Sequence, residues 1–403
     1  MMQFPIKNCV GCTACVSACQ STAIKMQRDA EGFQTPYLSN ANACTDCNLC
    51  RKVCPVLNLK SEVKNEEQGY IAQIKDKKIR LESASGGMFS AIAITVLKNG
   101  GVVYGAAYNE KFEVIHISVE TQEELWRLRN SKYVQSNLSG VFNRIKKQLV
   151  AGRLVCFSGT PCQIEGLKAF LQKEYDNLLL VDVVCHGVSS PLIWEKYLQM
   201  IRKFAPTKLY FRWKHYGYKY STMSAFNADG KEVYFSGVES DKMLRAYFTN
   251  NCDRESCYNC LFKKRYRVSD FTIWDCFQPK YFCKEFDDDC GTSCVLVNSQ
   301  KGKYYFEQIS KSGLLNYLAV DPDDLTFGNR EMVCSVKRGP YRNEILQDAA
   351  KMDAGPLFEK YFPTTMVSKA KKTIRLLLVK TGLYQFFKYR IYLYRRSKEN
   401  KRG

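Results

Sequence analysis

Two runs of cysteine near the amino terminus have the residue type and spacing that ligate iron–sulfur clusters. Residues 9–19 read CVGCTACVSAC and residues 44–54 read CTDCNLCRKVC, so each run follows the pattern C-x2-C-x2-C-x3-C. In two-cluster ferredoxins with this spacing, three close cysteines hold one four-iron cluster and the fourth ligates the other. The pattern predicts one cluster on Cys9, Cys12, Cys15 and Cys54, and a second on Cys44, Cys47, Cys50 and Cys19.

The alternatives for these eight cysteines are zinc and free buried thiols. Zinc sites usually use paired C-x2-C units rather than two runs of four. We therefore expect a small ferredoxin-like domain over residues 1–60 that holds two 4Fe-4S clusters and conducts electrons.

Cys162 stands at a position that favours a reactive thiol. It belongs to SGTPCQ at residues 158–163, where Thr160 fits a helix N-cap, Pro161 fits the first helical position and Gln163 completes a capping box. A helix N-terminus lowers the pKa of a thiol, and we expect this for Cys162.

Three further cysteines are candidate partners of Cys162. Cys185 ends the next predicted strand, and Cys257 and Cys260 form a C-x2-C pair. If the two strands are parallel neighbours, the sulfurs of Cys162 and Cys185 emerge at the same sheet edge. The four could form a third metal site, with iron–sulfur and zinc both open; the remaining alternative is small buried cysteines.

The elements that would position these cysteines are typical of an α/β domain. Strands are predicted at 70–75, 153–157 and 177–185, with helices at about 86–98, 138–150 and 190–203 and a further helix from Pro161. This alternation favours a mostly parallel sheet with helices packed on it, in which ligands bind at the carboxyl ends of the strands. Residues 224–235 predict a hairpin insertion with Asp229-Gly230 at its turn.

A short glycine-containing segment precedes one of these helices. Ser85 is the expected N-cap of the helix, and Gly86 and Gly87 follow it directly. Glycines ahead of a helix let an anion approach free backbone amides, so the segment is a candidate phosphate site; most Gly-Gly pairs are only turns.

Composition narrows the class of protein. The chain has 403 residues, nineteen cysteines and a formal net charge of +20. The start MMQFPIKNC lacks the apolar core of a secretory signal and no long apolar run is present, so we expect a cytoplasmic protein without a membrane span. Cysteine-rich cytoplasmic chains favour metal ligation over disulfides. No Ser-His-Asp, H-E-x-x-H or G-x-G-x-x-G signature supports hydrolytic or nicotinamide-dependent chemistry.

The tail, residues 366–403, is strongly basic and apolar at once. It holds twelve Lys or Arg and a single acid, Glu399, interleaved with Leu, Tyr and Phe. This composition predicts an amphipathic helix on an anionic membrane surface. A solvated tail and a docking helix for an acidic partner are the alternatives.

Several stretches together resemble the coenzyme F420 hydrogenase/dehydrogenase beta subunit family. They are SASGGMFSAIA, VVYGAAY, SKYVQS, SGTPCQIEGLKAFL, VDVVCHGVSSPLIWEKYL, CYNCLFKKRYRVSDFTI and GTSCVLVNSQKGKYYFE, which run from about residue 70 to 310. The resemblance implies a flavin-binding part over 70–150 and a second part over 151–340. One departure is WDCFQP at 274–279, where the family often reads GDFWG, and it puts the shape of the site and use of the deazaflavin in doubt.

The resemblance also implies cofactors and the residues that hold them. It implies an FAD-containing iron–sulfur oxidoreductase whose flavin lies near Ser85, Gly86, Gly87, Lys132, Tyr133, Gln135 and Ser136. It groups Cys162, Cys185, Cys257 and Cys260 as ligands of a third 4Fe-4S cluster. In the hydrogenase relatives the acceptor is a deazaflavin, whereas many bacterial members occur with surface-polysaccharide enzymes.

The sequence therefore predicts a cytoplasmic protein that passes electrons between clusters and FAD, and on to a deazaflavin-like or other small acceptor or a redox partner protein. The first alternative is a non-catalytic subunit that delivers electrons to a partner enzyme. The second is a basic iron–sulfur protein that binds nucleic acid, which would need a basic stripe on the folded core; the tail carries much of the basicity instead.

Overall fold

The structure, a computed structural model, describes residues 3–399, with the side chain of the last residue left out. In chain order its strands are β1 (Ile24–Arg28), β2 (Gln34–Leu38), β3 (Gln68–Ile74), β4 (Val102–Tyr108), β5 (Val114–Val119), β6 (Val155–Gly159), β7 (Leu178–Val183), β8 (Lys208–Trp213), β9 (Thr222–Phe226), β10 (Glu232–Ser236), β11 (Phe271–Asp275), β12 (Ser293–Val297) and β13 (Leu315–Val320).

The helices, again in chain order, are α1 (Ala14–Ala18), α2 (Leu49–Lys52), α3 (Lys77–Glu82), α4 (Met88–Lys98), α5 (Val141–Val150), α6 (Pro161–Leu171), α7 (Pro191–Ile201), α8 (Lys242–Phe248), α9 (Pro279–Phe282), α10 (Gln300–Lys311), α11 (Pro322–Thr326), α12 (Arg330–Val333), α13 (Arg342–Ala349), α14 (Ala354–Tyr361), α15 (Met366–Lys380) and α16 (Leu383–Glu399).

One eight-stranded sheet organises the chain, with strand order β13-β3-β12-β11-β7-β6-β4-β5. The central pairs β11–β7, β7–β6 and β6–β4 are parallel, while the outer pairs are antiparallel. The α/β class is confirmed, but the sheet is mixed rather than mostly parallel. The reason is that β5 returns directly beside β4, and on the opposite side β12 and β13 run against the central strands, while β3 between them runs in the same direction as the central strands.

Helices cover both faces of the sheet and bury its apolar residues. Helices α4 and α10 lie over one face, where Ile92 and Phe306 belong to one core with the strands. Helices α5 and α6 lie over the other face, and Phe142 and Ile164 are fully buried there. The sheet therefore forms the middle layer of three.

The N-terminal cysteine domain packs onto the α5–α6 side of this sheet. Cys12, Ala14 and Val53 of that domain belong to the same buried cluster as Phe142 of α5 and Ile164 of α6. The two units share apolar core, so burial of this surface fixes the small domain on the large one.

A second, three-stranded sheet of order β10-β9-β8 contains the predicted hairpin. Strands β9 and β10 pair antiparallel, and Gly230 lies in the turn between them with φ of 75°. This sheet packs with α7, α8, α13 and α14 around Trp194 and Phe211, so the chain beyond residue 340 contributes to the core.

The tail forms two helices, α15 and α16, that pack against each other. Gly382 lies between them with φ of 75°, a conformation that favours glycine at a helix end. The helical part of the tail prediction is confirmed over residues 366–399, while residues 400–403 lie outside the described chain.

Candidate functional site

Electrostatic contacts link several of the N-terminal cysteines, within the predicted groups and also across them, between Cys15 and Cys50. Cys15 interacts electrostatically with Cys9 and Cys54, and Cys12 interacts with Cys9 and Cys15. In the second group Cys50 interacts with Cys47 and Cys19, and Cys44 lies three residues before Cys47. Their role as cluster ligands remains a prediction.

The structure also brings together the four later cysteines. Cys162 interacts electrostatically with Cys260 and Cys185, and Cys257 interacts with Cys185 and Cys162. The parallel pairing of β6 with β7 causes this, because it places Cys162 and Cys185 beyond the carboxyl ends of adjacent strands. Over residues 3–399, no three His, Cys, Asp or Glu side chains are close enough to hold a single metal ion.

The first turn of α6 has the predicted N-terminal geometry. The backbone N–H of Thr160 donates to Oε1 of Gln163 at 2.9 Å, which completes the capping box. The Oγ1 atom of Thr160 lies 3.2 Å from Sγ of Cys162.

The expected lowering of the Cys162 pKa is wrong for the protein without a metal. Burial raises the pKa of the Cys162 thiol to about 12 and that of Cys185 to about 11. Loss of hydration therefore outweighs the helix dipole at this position. A bound metal centre would favour the thiolate form here, because ligation of a metal releases the thiol proton.

Two contacts join the N-terminal domain to the third set of cysteines. Cys12 lies against Gly166 of α6, one helical turn after Cys162, and interacts electrostatically with Cys162. The Arg254 guanidinium donates to the carbonyl of Cys9 at 2.9 Å and to that of Gln34 at 3.0 Å. The first group and the third set are thus neighbours across the interface.

A cavity of about 610 Å³ borders the third set at Cys185. It lies at the carboxyl ends of the central strands, with Gly159 and Val183 in its wall, as predicted for such sheets. Cys185, His186 and Gly187 form part of the same wall. Its volume lies within the range of ligand and cofactor pockets.

Five of the seven residues assigned to the flavin by resemblance line this cavity; they are Ser85, Gly87, Lys132, Tyr133 and Ser136. Gly86 and Gln135 contact protein elsewhere. The amide of Gly86 donates to Oγ of Ser293, and a Cβ at Gly86 would lie 2.4 Å from the carbonyl oxygen of Ala72, so this glycine permits close packing on the sheet. The Oε1 atom of Gln135 accepts from the amide of Gln34 in the N-terminal domain at 2.8 Å.

The start of α4 gives the cavity an anion-binding feature. The N-cap is Gly87, with φ of 87°, instead of the expected Ser85, whose hydroxyl donates to the carbonyl of Thr292. Met88, Phe89 and Ser90 of the first turn line the cavity, and the amides of a first helical turn have no partner within the helix. The geometry suits a phosphate group of a dinucleotide cofactor.

Lys132 is a partly buried basic residue in the cavity wall. Its Nζ donates to the carbonyl of Arg129 at 2.9 Å and lies 5.5 Å from the ring centroid of Tyr108. Burial lowers the pKa of Lys132 to about 7, so near neutrality the amine exists in both protonation states.

His116 is held neutral beside it. Burial lowers the pKa of His116 to about 4. Its Nε2 lies 3.0 Å from the carbonyl oxygen of Ser158 and must donate there, so Nδ1 accepts from the hydroxyl of Ser136 at 2.6 Å.

Sequence reasoning missed part of the wall, including a partly buried ion pair between Arg212 and Asp275. The hydroxyl of Tyr218 donates to Oδ1 of Asp275 at 3.0 Å. These residues follow no spacing rule, because β8 and β11 belong to different sheets and meet only in the folded chain. Tail residues Arg375, Gln385 and Lys388 also line the cavity, and no sequence signal predicts that contact.

Comparisons with known proteins agree with this organisation. Residues 8–58 match the model of a 4Fe-4S dicluster domain. Residues 70–143 match the coenzyme F420 hydrogenase/dehydrogenase beta subunit N-terminal model, and residues 152–323 match the corresponding C-terminal model. No curated protein gives a significant match.

Thirteen chains of solved structures match, among them one from the F420-reducing NiFe hydrogenase complex of Methanosarcina barkeri. It shares 15% sequence identity with this chain, with a TM-score of 0.43, over 75% of this chain and 91% of the other.

Proposed function

Because the chain belongs to the coenzyme F420 hydrogenase/dehydrogenase beta subunit family and carries a 4Fe-4S dicluster domain, we propose that it is an iron–sulfur flavoprotein oxidoreductase. Family membership makes it an iron–sulfur electron-transfer protein of that type. The finer proposal is that electrons pass between three 4Fe-4S clusters and FAD, and on to a small acceptor.

The observation that carries the proposal is the series of contacts that connects the sites. Cys12 of the first cysteine group lies against α6, which presents Cys162, and Cys185 of the same set lies in the cavity wall. A chain of sites in contact supports conduction between the N-terminal clusters and a cofactor in the cavity. When bound, clusters carry single electrons and FAD exchanges two, which is the chemistry that the protein alone lacks.

The chain's own residues would bind and orient the cofactor and set the charge around it. The first turn of α4 offers amides to a pyrophosphate, and Lys132 offers a cation or a neutral amine at neutral pH. Tyr133 stacks on Tyr247 with centroids 4.4 Å apart, which holds it rigidly at the wall. His116, neutral and fully bonded, positions the hydroxyl of Ser136.

The proposal includes two candidate classes of electron acceptor. A deazaflavin is one acceptor, and a substrate of surface-polysaccharide synthesis is another. The alternative function is a non-catalytic subunit that hands electrons to a partner enzyme, and cysteine groups near the surface support it, since Cys47 is exposed.

We also propose a cytoplasmic location with the tail on the inner face of an anionic membrane. None of the helices within residues 3–399 is long and apolar enough to cross a bilayer. The basic and apolar composition of α15 and α16 suits surface attachment instead.

Anaerobic purification tests the cofactor proposal. The protein should release FAD in near-stoichiometric amount on denaturation and contain about twelve irons. Protein with full clusters, no FAD and no uptake of added FAD would refute the flavin assignment. Turnover of a soluble acceptor by the isolated chain would count against the non-catalytic alternative.

A further inference from the structure

The tail helices form part of the cavity mouth. Arg375 of α15 and Gln385 and Lys388 of α16 line the cavity. Arg375 pairs with Glu239 and lies 4.8 Å from the ring centroid of Tyr220, which attaches α15 to the small sheet. The tail is therefore docked on the body at the mouth rather than extended into solvent.

A second set of contacts holds the far end of α16. Arg396 pairs with Asp324 and lies 4.4 Å from the ring centroid of Tyr281, and Tyr392 packs edge-on against Tyr281 with centroids 5.3 Å apart. Tyr392 and Arg396 are one helical turn apart, so they share the face of α16 that touches the body.

Away from these contacts, α16 carries several exposed apolar side chains. Phe386 and Phe387 are 58% and 55% exposed, and Leu383, Ile391 and Tyr394 continue the stripe at helical spacing. On α15, Ile374 and Leu377 are exposed as well. Exposed aromatic residues in such a continuous stripe mark a binding surface rather than ordinary solvent contact.

The rim of the cavity also carries exposed apolar side chains. Phe277 and Phe248 line the cavity and are 65% and 47% exposed. Lys388 and Arg390 are exposed on the same helix; Lys388 lies 4.7 Å from the ring centroid of Tyr384, and in the part of the chain that the structure describes neither makes an ion pair with a carboxylate. Cations without a carboxylate partner, next to exposed aromatics, complement an anionic lipid surface.

We propose that the mouth of the cavity opens onto an anionic membrane and that the electron acceptor is a lipid-borne molecule that enters from it. This inference rests on the proposed function for the redox step and names the acceptor class. The tail helices dock on lipid with Phe386 and Phe387, and the rim at Phe277 faces the bilayer. A quinone-type acceptor takes two electrons and two protons to become a quinol, with electrons from a reduced electron-transfer protein and protons from water.

Vesicle sedimentation tests the docking surface. Full-length protein should bind vesicles of phosphatidylcholine and phosphatidylglycerol, and bind pure phosphatidylcholine about tenfold more weakly. Phe386→Ser with Phe387→Ser should weaken anionic binding by about tenfold. The control is Val150→Ser with Tyr304→Ser, which removes comparably exposed apolar side chains elsewhere and should bind as wild type. Absence of vesicle binding would overturn the proposal in favour of an acidic protein partner.

Fluorescence quenching tests the orientation and needs neither flavin nor turnover. Phe277→Trp places a reporter on the rim, and Val150→Trp places one at the end of α5, which precedes the amino end of β6 on the opposite edge of the sheet. Nitroxide-labelled lipids should quench the added emission of Phe277→Trp and leave that of Val150→Trp unchanged. Equal quenching, or quenching only at residue 150, would overturn the orientation.

Reduction of two quinones tests the acceptor class. Dithionite-reduced holoprotein should reduce both a long-chain quinone in anionic vesicles and a water-soluble short-chain analogue. Phe386→Ser with Phe387→Ser should slow the first reaction about tenfold and leave the second unchanged. If the double substitution slows both reactions equally, or slows neither, the proposal of a lipid-borne acceptor is overturned. If wild type reduces neither quinone, the redox proposal fails, and quenching alone decides whether the mouth faces the membrane.

Discussion

The Sγ atom of Cys12 lies 2.9 Å from the position that a Cβ atom on Gly166 would occupy, and Cys12 Cβ lies 2.7 Å from it. Real Cβ atoms do not approach other atoms this closely, so only glycine at residue 166 permits the contact. The contact lies between a predicted ligand of the first cluster and the helix that carries Cys162, where electrons would cross between the two domains.

Gly166→Ala should loosen this junction. Alanine improves helix propensity by about 1 kcal/mol, but overpacking of a buried contact costs about 1–3 kcal/mol, so we expect a net loss of stability of up to about 2 kcal/mol. Cys12 must also move, which should slow electron transfer from the N-terminal clusters. Stopped-flow reduction by dithionite, followed in the cluster and flavin absorption bands, measures the rate.

Gly355→Ala is the matched control for that variant. Gly355 lies in α14, and a Cβ there would meet no atom within 4 Å. Gly355→Ala should leave the free energy of unfolding unchanged or raise it slightly, and it should leave the rate of electron transfer unchanged. If Gly166→Ala matches this control in both stability and rate, the Cys12 contact does not matter for the junction.

Cys162→Ser should remove one cluster and spare the other two. Wild-type protein with three clusters holds about twelve irons, and the variant should lose up to about four. Cys334→Ser changes an exposed cysteine outside the three groups and should keep the full content. Iron analysis, together with electron paramagnetic resonance after reduction, measures how many clusters each protein holds. If reconstituted wild-type protein never exceeds about eight irons, Cys162 is excluded as a cluster ligand.

Lys132→Met should change the pH dependence of stability in flavin-free protein. Burial lowers the pKa of Lys132 from 10.5 to about 7, so between these values the unfolded chain binds more protons than the folded one. Stability therefore rises with pH in this window, and Lys132 contributes about 1.4 kcal/mol per pH unit.

Thermal unfolding of both proteins between about pH 7 and 8.5 isolates this effect, because the thiols that ionise in the unfolded chain over this interval are the same in both and cancel in the comparison. Wild type should gain more stability across the interval than Lys132→Met does. Lys214, whose pKa burial also lowers to about 7, is present in both proteins and cancels in the comparison. Parallel curves for the two proteins would show that Lys132 is charged throughout.

The sequence was most informative where function depends on local spacing. The cysteine runs, the Thr160–Gln163 capping box and the strands around Cys162 and Cys185 follow short-range rules, and all of these elements are present. The mixed sheet was not predictable in the same way. The direction of β3, β12 and β13 depends on pairing between segments more than 200 residues apart along the chain.

The missed parts of the site share a physical cause. Arg212 and Asp275 meet through tertiary packing between two sheets, and their ion pair leaves no periodic signal. The thiol pKa of Cys162 reversed its expected direction because burial, which a single sequence does not reveal, outweighs the local helix dipole. The tail reads as amphipathic, but the body contacts of Arg375 and Arg396 depend on where the helices dock.

The shared core beneath the N-terminal domain has a kinetic consequence. Because Cys12, Ala14 and Val53 are buried with Phe142 and Ile164, this domain is not a carrier that swings on a tether between a donor and the large domain. Electron entry then involves no diffusive search within the molecule. Internal transfer should be first-order and indifferent to solvent viscosity, and a viscous medium should slow only the encounters with external electron donors and acceptors.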